Sequence, residues 1–293
     1  MIEIQRTPNK FLDTHVRSYP PHNDEKYIEQ YFYEEILKNN NLKSRLTYLP
    51  VQWTNYIADN NYGKNIDELQ NWISNLNRKE KNKNFFTIVQ YAGGPLVDLD
   101  NTLVFSSGGM FNTSFKTNLS YIKIPLLTKP HEIKITSKKK YLASYQGRPT
   151  HPIREDMIKL LSKSKGFNLK NIKKITKKDQ SVFVKKINQS YFSICPRGTG
   201  PTSFRLYESF GLNSIPVYVS DEFYLPFTEI IDWKKLIVFI KENEIDNMPK
   251  MLTEIVDSGK YNEMLEYGNY CYSKYFNLKF VSSYIKNTVE FFK

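Results

Sequence analysis

The stretch from Tyr191 to Asp221 constrains the fold of this 293-residue chain more than any other. Its apolar run Tyr191 to Cys195 predicts a buried strand, which a proline ends. After a loop with two glycines, Ser203 is a favourable N-cap for a helix whose apolar residues recur at helical spacing up to Gly211. The run Ile215 to Val219 predicts a second strand. The stretch therefore predicts a strand–loop–helix–strand unit of an α/β fold.

The loop of this unit has the chemistry of an anion-binding site. Arg197 follows the first predicted strand directly, and Gly198 lets the backbone approach a ligand closely. The amides of Thr202 and Ser203 lie at the predicted helix start, where unpaired N–H groups and the helix dipole favour negative charge. We therefore interpret the unit as diphosphate-binding. The alternative for Arg197 is an ordinary surface ion pair.

Composition restricts the classes of protein that fit. Hydrophobic residues make up 40% of the chain and aromatic residues 15%, so a folded protein is expected. A net charge of +12 favours anionic partners or only solvates the surface. No helix-turn-helix, zinc-finger or RNP signature accompanies this charge, so nucleic acid is not the expected partner. Two cysteines are too few for a disulfide framework or a four-ligand zinc site.

The chain contains no pattern that indicates a membrane span. The amino terminus lacks the apolar core of a signal peptide, and no apolar run is long enough to cross a bilayer. We therefore expect a cytoplasmic protein.

Strands and helices alternate along the whole sequence, which predicts two α/β domains. We place them at residues 1–135 and 136–270, with a carboxyl-terminal helix in 271–293 that packs back on the first domain. The strands predicted outside the opening stretch are Leu46–Trp53, Phe85–Val89, Leu103–Phe105, Tyr121–Ile124, Tyr141–Tyr145, Ile172–Ile175 and Leu236–Ile240. Long helices are predicted at Met248–Val256 and Tyr261–Lys286.

Seven short motifs follow one another between Tyr141 and Leu252. They are Leu142-Ala-Ser-Tyr-Gln-Gly147 with His151-Pro-Ile-Arg154, Tyr191-Phe-Ser-Ile-Cys-Pro-Arg-Gly198, Ser203-Phe-Arg-Leu-Tyr-Glu208, Ile215-Pro-Val217 with Ser220-Asp221, Leu225-Pro-Phe227, Ile231-Asp-Trp233, and Glu242-Asn-Glu-Ile245 before Met248-Pro249. Their order and spacing resemble those of the exostosin-like glycosyltransferases, family GT47. The resemblance covers a little over a third of the chain.

This resemblance implies the α/β GT-B fold, in which two Rossmann-like domains face each other across a cleft and the carboxyl-terminal one holds a nucleotide-sugar. It implies an inverting transfer from a nucleotide-diphospho-sugar, with UDP-sugars favoured and UDP-xylose as one guess, to a hydroxyl of a glycan or glycoprotein acceptor. No tightly bound metal or cofactor is expected. The short Lys- and Asn-rich chain fits a virus-encoded or microbial member, with the host cytoplasm or the virion as its location if viral.

The resemblance also implies roles for individual residues. Arg197 would bind the diphosphate, and Glu208 the ribose hydroxyls. Arg205 would reach phosphate or fix Glu208, with a salt bridge between them on a solvated face as the alternative. The full set of donor-binding candidates is Arg148, Arg154, Arg197, Gly198, Thr202, Ser203, Arg205, Glu208, Ser220 and Asp221. For Ser220 and Asp221, a helix cap or a turn is the alternative.

The catalytic base is the least predictable group. Members of the family carry a Gly-x-x-His-like loop after a strand of the first half, and this chain has no histidine in its Ala92-Gly-Gly-Pro-Leu-Val-Asp98-Leu-Asp100 segment. Asp98 and Asp100 are the candidate bases, with an ordinary turn as the alternative. Asp13 and His15 are secondary candidates.

The missing histidine also fits a second hypothesis, an inactive nucleotide- or glycan-binding module of the same fold. A nucleic-acid-binding protein driven by the positive charge is a third. A dinucleotide oxidoreductase is disfavoured, because no predicted strand is followed by Gly-x-Gly-x-x-Gly.

Overall fold

Two separate parallel sheets organise the chain. The computed structural model describes residues 1–13, 15, 27–109, 121–132, 134, 138–173 and 176–292. Unit 1 holds the described residues up to Pro125 together with those from Leu278 onward, and unit 2 holds those from Leu126 to Asn277. The boundaries that we predict from the sequence are 135/136 and 270/271.

The helices and strands of the described residues follow in chain order. The helices are α1 Ile28–Lys38, α2 Trp53–Asp59, α3 Asp67–Lys79, α4 Pro152–Leu161, α5 Lys177–Asn188, α6 Phe204–Gly211, α7 Met248–Asp257, α8 Lys260–Tyr275 and α9 Leu278–Glu290. The strands are β1 Thr47–Tyr48, β2 Phe85–Val89, β3 Thr102–Ser106, β4 Tyr121–Lys123, β5 Tyr141–Gly147, β6 Phe167–Asn171, β7 Ser190–Pro196, β8 Ile215–Val219 and β9 Val238–Ile240. Short 3₁₀ helices occupy Asn9–Phe11, Asn61–Gly63, Trp233–Lys235 and Glu242–Asn247.

The sheet of unit 1 has the order β1-β2-β3-β4, and all its pairs are parallel. Every residue of β2 and β3 is buried, as expected of strands covered on both faces. Trp53, the first residue of α2, packs into the core and donates from Nε1 to Thr87 Oγ1 at 2.8 Å. Helix α9 lies against α1, where Lys286 Nζ is 2.6 Å from Glu35 Oε1.

The sheet of unit 2 has the order β6-β5-β7-β8-β9, again with parallel pairs. The chain passes from β5 to β6 on one side and then crosses back to place β7 on the other side of β5. The strand order therefore reverses between β5 and β7. In open parallel sheets, ligands bind outside the carboxyl ends of the strands at such a switch point. These ends are Gly147 and Pro196.

One strand of unit 2 differs from its prediction. The predicted strand Ile172–Ile175 is wrong at its first two residues, because β6 ends at Asn171; residues 174 and 175 lie outside the described residues. The next element is α5, which begins with a capping box between Thr176 and Asp179. The lysines near both ends of α5 make its apolar spacing difficult to recognise in the sequence, so this helix was not predicted.

Two further predictions are corrected. The predicted helix Tyr261–Lys286 is two helices, α8 and α9, because the chain leaves helical geometry at the buried Phe276. The predicted strand Leu46–Trp53 contains only the two-residue β1, and its last residue already starts α2.

The predicted fold class is confirmed. Each unit is an α/β unit with a parallel sheet and flanking helices, which is the Rossmann-like architecture of the two GT-B domains. Among the described ranges, no helix combines the length and apolar character that crossing a membrane requires.

Candidate functional site

The predicted donor-binding residues gather around the switch point of unit 2. Arg148 is exposed and follows β5 directly, and Arg197 follows β7 directly. The backbone N–H of Arg197 donates to Val219 O at 3.0 Å, which fixes this residue at the carboxyl edge of the sheet. The topology therefore brings both arginines to the place where a parallel sheet binds its ligands.

Arg154, near the start of α4, ties these two loops together. Its Nε donates to Arg197 O at 2.9 Å, its Nη1 to Arg148 O at 2.9 Å, and its Nη2 to Pro196 O at 3.2 Å. Burial lowers the pKa of this guanidinium from its usual value. The contacts are those of a residue that positions the loops, and the direct phosphate contact of Arg154 stays a prediction.

Arg197 has an acidic neighbour that we did not single out from the sequence. Its Nη1 lies 3.2 Å from Glu222 Oε1, and the side chain of Glu222 is 57% exposed. The Nε of Arg197 is buried and has no hydrogen-bond partner within the described part of the chain. The Arg197 side chain is 16% exposed, so solvent reaches this pair mainly through Glu222 and weakens its attraction there. A guanidinium in this arrangement has the geometry for bidentate hydrogen bonds to an anion, and the diphosphate contact of Arg197 stays a prediction.

The loop between β7 and α6 is closely packed at Gly198. A Cβ at this position would lie 2.8 Å from Arg154 Nη2 and 3.2 Å from Thr150 Oγ1, so only glycine fits without a shift. Thr202 is buried. Ser203 is the N-cap residue of α6 with extended backbone, as predicted, but its side chain makes no capping hydrogen bond. Its buried Oγ has no partner among the residues described.

Glu208 forms a buried pair with a residue that the sequence analysis missed. His131 Nε2 lies 2.7 Å from Glu208 Oε1, and both side chains are almost fully buried. The second oxygen, Oε2, is buried without a hydrogen-bond partner in the described ranges. A carboxylate held through one oxygen leaves the other to accept a hydroxyl. This geometry is compatible with the predicted ribose contact of Glu208, which stays a prediction.

Arg205 is buried between α6 and the sheet. Its Nη2 donates to Gln146 O at 2.6 Å and its Nη1 to Ile194 O at 3.3 Å. Its guanidinium lies over the ring of Tyr145, 4.5 Å from the centroid. These contacts anchor α6 to β5 and β7. Arg205 is not on a solvated face, and the side chain paired with Glu208 is that of His131.

Ser220 and Asp221 have local backbone partners. The Oγ of Ser220 accepts from Glu222 N at 3.1 Å within the turn after β8. Asp221 Oδ1 accepts from Glu242 N at 2.9 Å, at the first residue of a 3₁₀ helix. These are the turn and cap contacts of the alternative hypothesis, and a contact with the donor stays a prediction for both residues.

The two candidate bases lie between β2 and β3. Asp98 is exposed, and its N–H donates to Gln70 Oε1 at 3.2 Å. Asp100 is exposed, and its carbonyl accepts from Thr102 Oγ1 at 2.8 Å at the start of β3. Because β3 is parallel to β2, its start lies at the amino edge of the sheet. Asp100 is therefore opposite to the edge where such sheets bind ligands, and both base assignments stay predictions.

The secondary candidates Asp13 and His15 form a cluster with a third residue of unit 1. His15 Nδ1 lies 3.1 Å from Asp13 Oδ2, and His15 Nε2 lies 3.6 Å from Asp59 Oδ2. Asn55 Nδ2 donates to the carbonyls of Asp13 and His15, at 2.9 Å each. The sequence did not indicate Asp59, because nothing in its local pattern relates it to the amino-terminal arm.

Curated proteins with similar sequences include several from plants. The chain is 33% identical to the "Probable glucuronosyltransferase GUT1" of Oryza sativa subsp. japonica over 73 residues, which are 25% of this chain and 18% of that protein. It is 32% identical to the "Probable beta-1,4-xylosyltransferase IRX10" of Arabidopsis thaliana over 75 residues, which are 26% of this chain and 18% of that protein. The match thus spans less than a fifth of the length of these relatives.

Solved structures give partial superpositions. The crystal structure of TarM superposes with a TM-score of 0.42 and 12% identity, over 77% of this chain and 58% of that chain. The pneumococcal O-GlcNAc transferase GtfA in complex with UDP and GlcNAc superposes with a TM-score of 0.42 and 12% identity, over 89% of this chain and 59% of that chain.

A family model provides the widest match in sequence. The model of the exostosin GT47 domain matches residues 80–255, which is more than half of the chain and includes every predicted donor-binding residue. The chain therefore belongs to the exostosin-like glycosyltransferase family GT47, as its motifs predict.

Proposed function

We propose that the protein is a glycosyltransferase that moves a sugar from a nucleotide-diphospho-sugar to a hydroxyl of a glycan, with unit 2 as the donor-binding unit. One observation carries the proposal. Arg197 lies at the switch point of the unit 2 sheet; its Nε has no hydrogen-bond partner among the described residues, and its acidic neighbour Glu222 is exposed. The family and the named activities of the plant relatives support the same assignment.

In this proposal, each group of the site has a separate task. Arg197 binds the diphosphate, and the amides at the start of α6, with Ser203 Oγ, bind the remaining phosphate oxygens. Glu208 Oε2 accepts the ribose hydroxyls, while His131 holds the carboxylate in place. Arg154 positions the two loops through its three backbone contacts.

We propose UDP as the nucleotide. The relatives are named as glucuronosyl- and xylosyltransferases, so UDP-glucuronate and UDP-xylose are the first donors to test. The guanidinium of Arg197 and the helix amides neutralise the leaving diphosphate, so no tightly bound metal is required. An inverting reaction, a cytoplasmic location and a viral source remain predictions from the sequence.

An inverting transfer also needs a proton acceptor for the attacking hydroxyl. All four groups predicted for this role are exposed, but Asp100 lies at the amino edge of its sheet, and His15 has the carboxylate of Asp13 at its Nδ1. We therefore propose His15 or Asp98 in preference to Asp100.

Calorimetric titration with UDP tests the donor site. We expect UDP to bind the wild-type protein, and Arg197→Ala to weaken binding by about 10- to 100-fold, since a hydrogen bond to a charged group contributes about 1.5–3 kcal/mol. Arg6→Ala is the matched control, because Arg6 is an exposed arginine of unit 1. Absence of UDP binding, or equal binding by Arg197→Ala, would overturn the proposal.

A further inference from the structure

Two carboxylates and one imidazole meet at a single place in unit 1. Asp13 and His15 belong to the amino-terminal arm, and Asp59 is the last residue of α2. Each side chain offers one ligand atom, and these atoms lie within 4.8 Å of one another. Carboxylate oxygens and imidazole nitrogens together form a donor set that divalent metal ions accept. Exposed acidic groups also cluster without an ion, and the contacts around this cluster favour an ion.

Asp13 holds the imidazole of His15 in one orientation. Its Oδ1 accepts from the backbone N–H of His15 at 2.9 Å, and its Oδ2 lies 3.1 Å from Nδ1. A neutral imidazole in this position carries its proton on Nδ1 and leaves the lone pair of Nε2 for a ligand. A carboxylate that accepts from the second ring nitrogen is the usual partner of a metal-binding histidine.

His15 Nε2 faces Asp59 at a separation typical of two atoms that bind the same ion. The distance from Nε2 to Asp59 Oδ2 is 3.6 Å, which is too long for a hydrogen bond. Two ligand atoms that each lie about 2.0–2.2 Å from one ion are roughly 3.0–3.6 Å apart at ordinary bond angles. With Nδ1 protonated, both facing atoms are acceptors, so an ion between them would replace a repulsive contact by two attractive ones.

The arm that carries His15 is held by both neighbouring helices. Asn55 Nδ2 of α2 donates to the carbonyls of Asp13 and His15, at 2.9 Å each. Gln30 Nε2 of α1 donates to the carbonyl of His15, also at 2.9 Å. The side chains of His15 and Asp59 are 41% and 47% exposed, so an ion reaches both from solvent. The fold therefore holds the two ligands in place, which lowers the entropic cost of binding.

A buried amide beside the cluster is an independent sign of a ligand. Gln52 lines the same cavity of about 710 Å³ as Asp13 and Asp59, and it is only 1% exposed. Neither its Oε1 nor its Nε2 has a hydrogen-bond partner within the described residues. Such a group in a native protein indicates a missing ion or water. Its Oε1 would bind an ion directly or accept from one of the ion's waters, and Nε2 would donate to solvent in the cavity.

The charges that line the cavity fit a cation. The cluster combines two carboxylates with one imidazole. Lys10 also lines the cavity, and its ammonium group pairs with the carboxylate of Glu68 on α3. The imidazole indicates which class of ion is favoured, because nitrogen ligands suit transition metals, whereas Ca²⁺ and Mg²⁺ prefer oxygen.

We propose that His15 and Asp59 bind a divalent transition-metal ion, with Zn²⁺ and Mn²⁺ as the ions to test. Asp13 positions the imidazole, and Gln52 supplies a further ligand, either Oε1 itself or a water that Oε1 holds. The ion ties the amino-terminal arm to the end of α2. It lies in unit 1, whereas every residue assigned to the donor lies in unit 2. An ion on Nε2 occupies the position at which His15 would accept a proton, which leaves Asp98 as the proposed base.

Calorimetric titration of the chelator-treated protein with Zn²⁺ and with Mn²⁺ tests the proposal. We expect at least one of these ions to bind, and Asp59→Asn and His15→Ala each to weaken that binding by at least tenfold. Asp67→Asn, an exposed aspartate of α3 outside the cavity, is the matched control and should bind as the wild type does. The ion should raise the melting temperature of the wild type and of Asp67→Asn, and leave that of Asp59→Asn unchanged.

Nuclear magnetic resonance of the imidazole nitrogens tests the separate roles of His15 and Asp13. Zn²⁺ should shift the ¹⁵N signal of Nε2 in His15 and leave the proton on Nδ1. In Asp13→Ala, the ring should lose its preference for the form protonated on Nδ1 and should bind the ion less tightly. A merely structural aspartate would leave this preference unchanged.

Three results would contradict the metal site. They are failure of both ions to bind at millimolar concentration, binding that Asp59→Asn and His15→Ala leave unchanged, and a His15 ring that stays protonated on both nitrogens at neutral pH with excess ion present. Metal-free melting temperatures equal to that of the wild type show that the variants are folded. Asp59→Asn should bind UDP as the wild type does, because it changes unit 1 only, so loss of the metal site leaves the proposed donor site intact.

Discussion

Glu29 is expected to make unit 1 less stable as the pH rises from 4.5 to 7. This residue of α1 is 2% exposed. Its Oε1 accepts from Gln90 N at 2.6 Å and from Thr54 Oγ1 at 2.9 Å, and its Oε2 accepts from Thr54 N at 3.0 Å. Burial outweighs these hydrogen bonds and raises the pKa of Glu29 from 4.5 to about 7.

The sign of the effect follows from proton binding. Between pH 4.5 and 7 the folded state holds a proton on Glu29 that the unfolded state has released, so the free energy of unfolding falls as the pH rises. The stabilisation is complete below pH 4.5 and is lost above pH 7. A shift of roughly 2.5 pH units at 1.36 kcal/mol each amounts to about 3 kcal/mol.

Urea unfolding across this pH window measures the effect. The wild type should lose about 3 kcal/mol between pH 4.5 and 7 through this group, and Glu29→Gln should lose that dependence. Glu34→Gln, on the same helix, is the control, and its free energy of unfolding should depend on pH as that of the wild type does. Hydrogen exchange at the amides of Thr54 and Gln90 locates the change. If the free energy of unfolding fell equally steeply with pH in the wild type and in Glu29→Gln, the assignment of this pH dependence to Glu29 would be refuted.

Three further substitutions test the geometry of unit 2. Gly198→Ala should weaken UDP binding and destabilise the protein by about 1–3 kcal/mol, because the new Cβ would lie 2.8 Å from Arg154 Nη2; unchanged calorimetry and urea unfolding would contradict this. Arg154→Ala frees three backbone carbonyls, so it should lower the melting temperature as well as UDP affinity; lost affinity at unchanged stability would instead indicate a direct phosphate contact. His131→Ala leaves the Glu208 carboxylate without its partner and should cost about 1.5–3 kcal/mol by urea unfolding, and a smaller loss would refute a stabilising pair.

Local patterns predicted the central unit of the fold. Periodicity and capping identified this unit because its signals lie within one continuous stretch of sequence. These signals are the apolar run of β7, the N-cap residue Ser203 and the apolar face of α6. The same reasoning placed Arg197 at the end of its strand. Helix α5 was not predicted because it contains as many lysines as apolar residues, although the capping box of Thr176 and Asp179 would have identified its start.

Contacts between distant residues account for what the sequence did not predict. His131 and Glu208 are 77 positions apart, and His131 lies near the predicted boundary between the two domains. The three carbonyl partners of Arg154 belong to the loops after β5 and β7. These loops are neighbours because β5 and β7 are adjacent in the sheet, which the sequence does not reveal. The position of Asp100 at the amino edge of its sheet likewise follows from the parallel pairing of β2 and β3.

Sugar transfer itself is the most direct test of the central claim. The wild-type protein is incubated with xylotetraose and either UDP-xylose or UDP-glucuronate, and the mass of the oligosaccharide is measured by mass spectrometry. We predict a product heavier by one sugar residue and stoichiometric release of UDP, with a large loss of rate in Arg197→Ala and none in Arg6→Ala. UDP binding without any transfer would contradict the claim and favour the inactive binding module. Transfer at the wild-type rate by Arg197→Ala would contradict the assignment of the donor site.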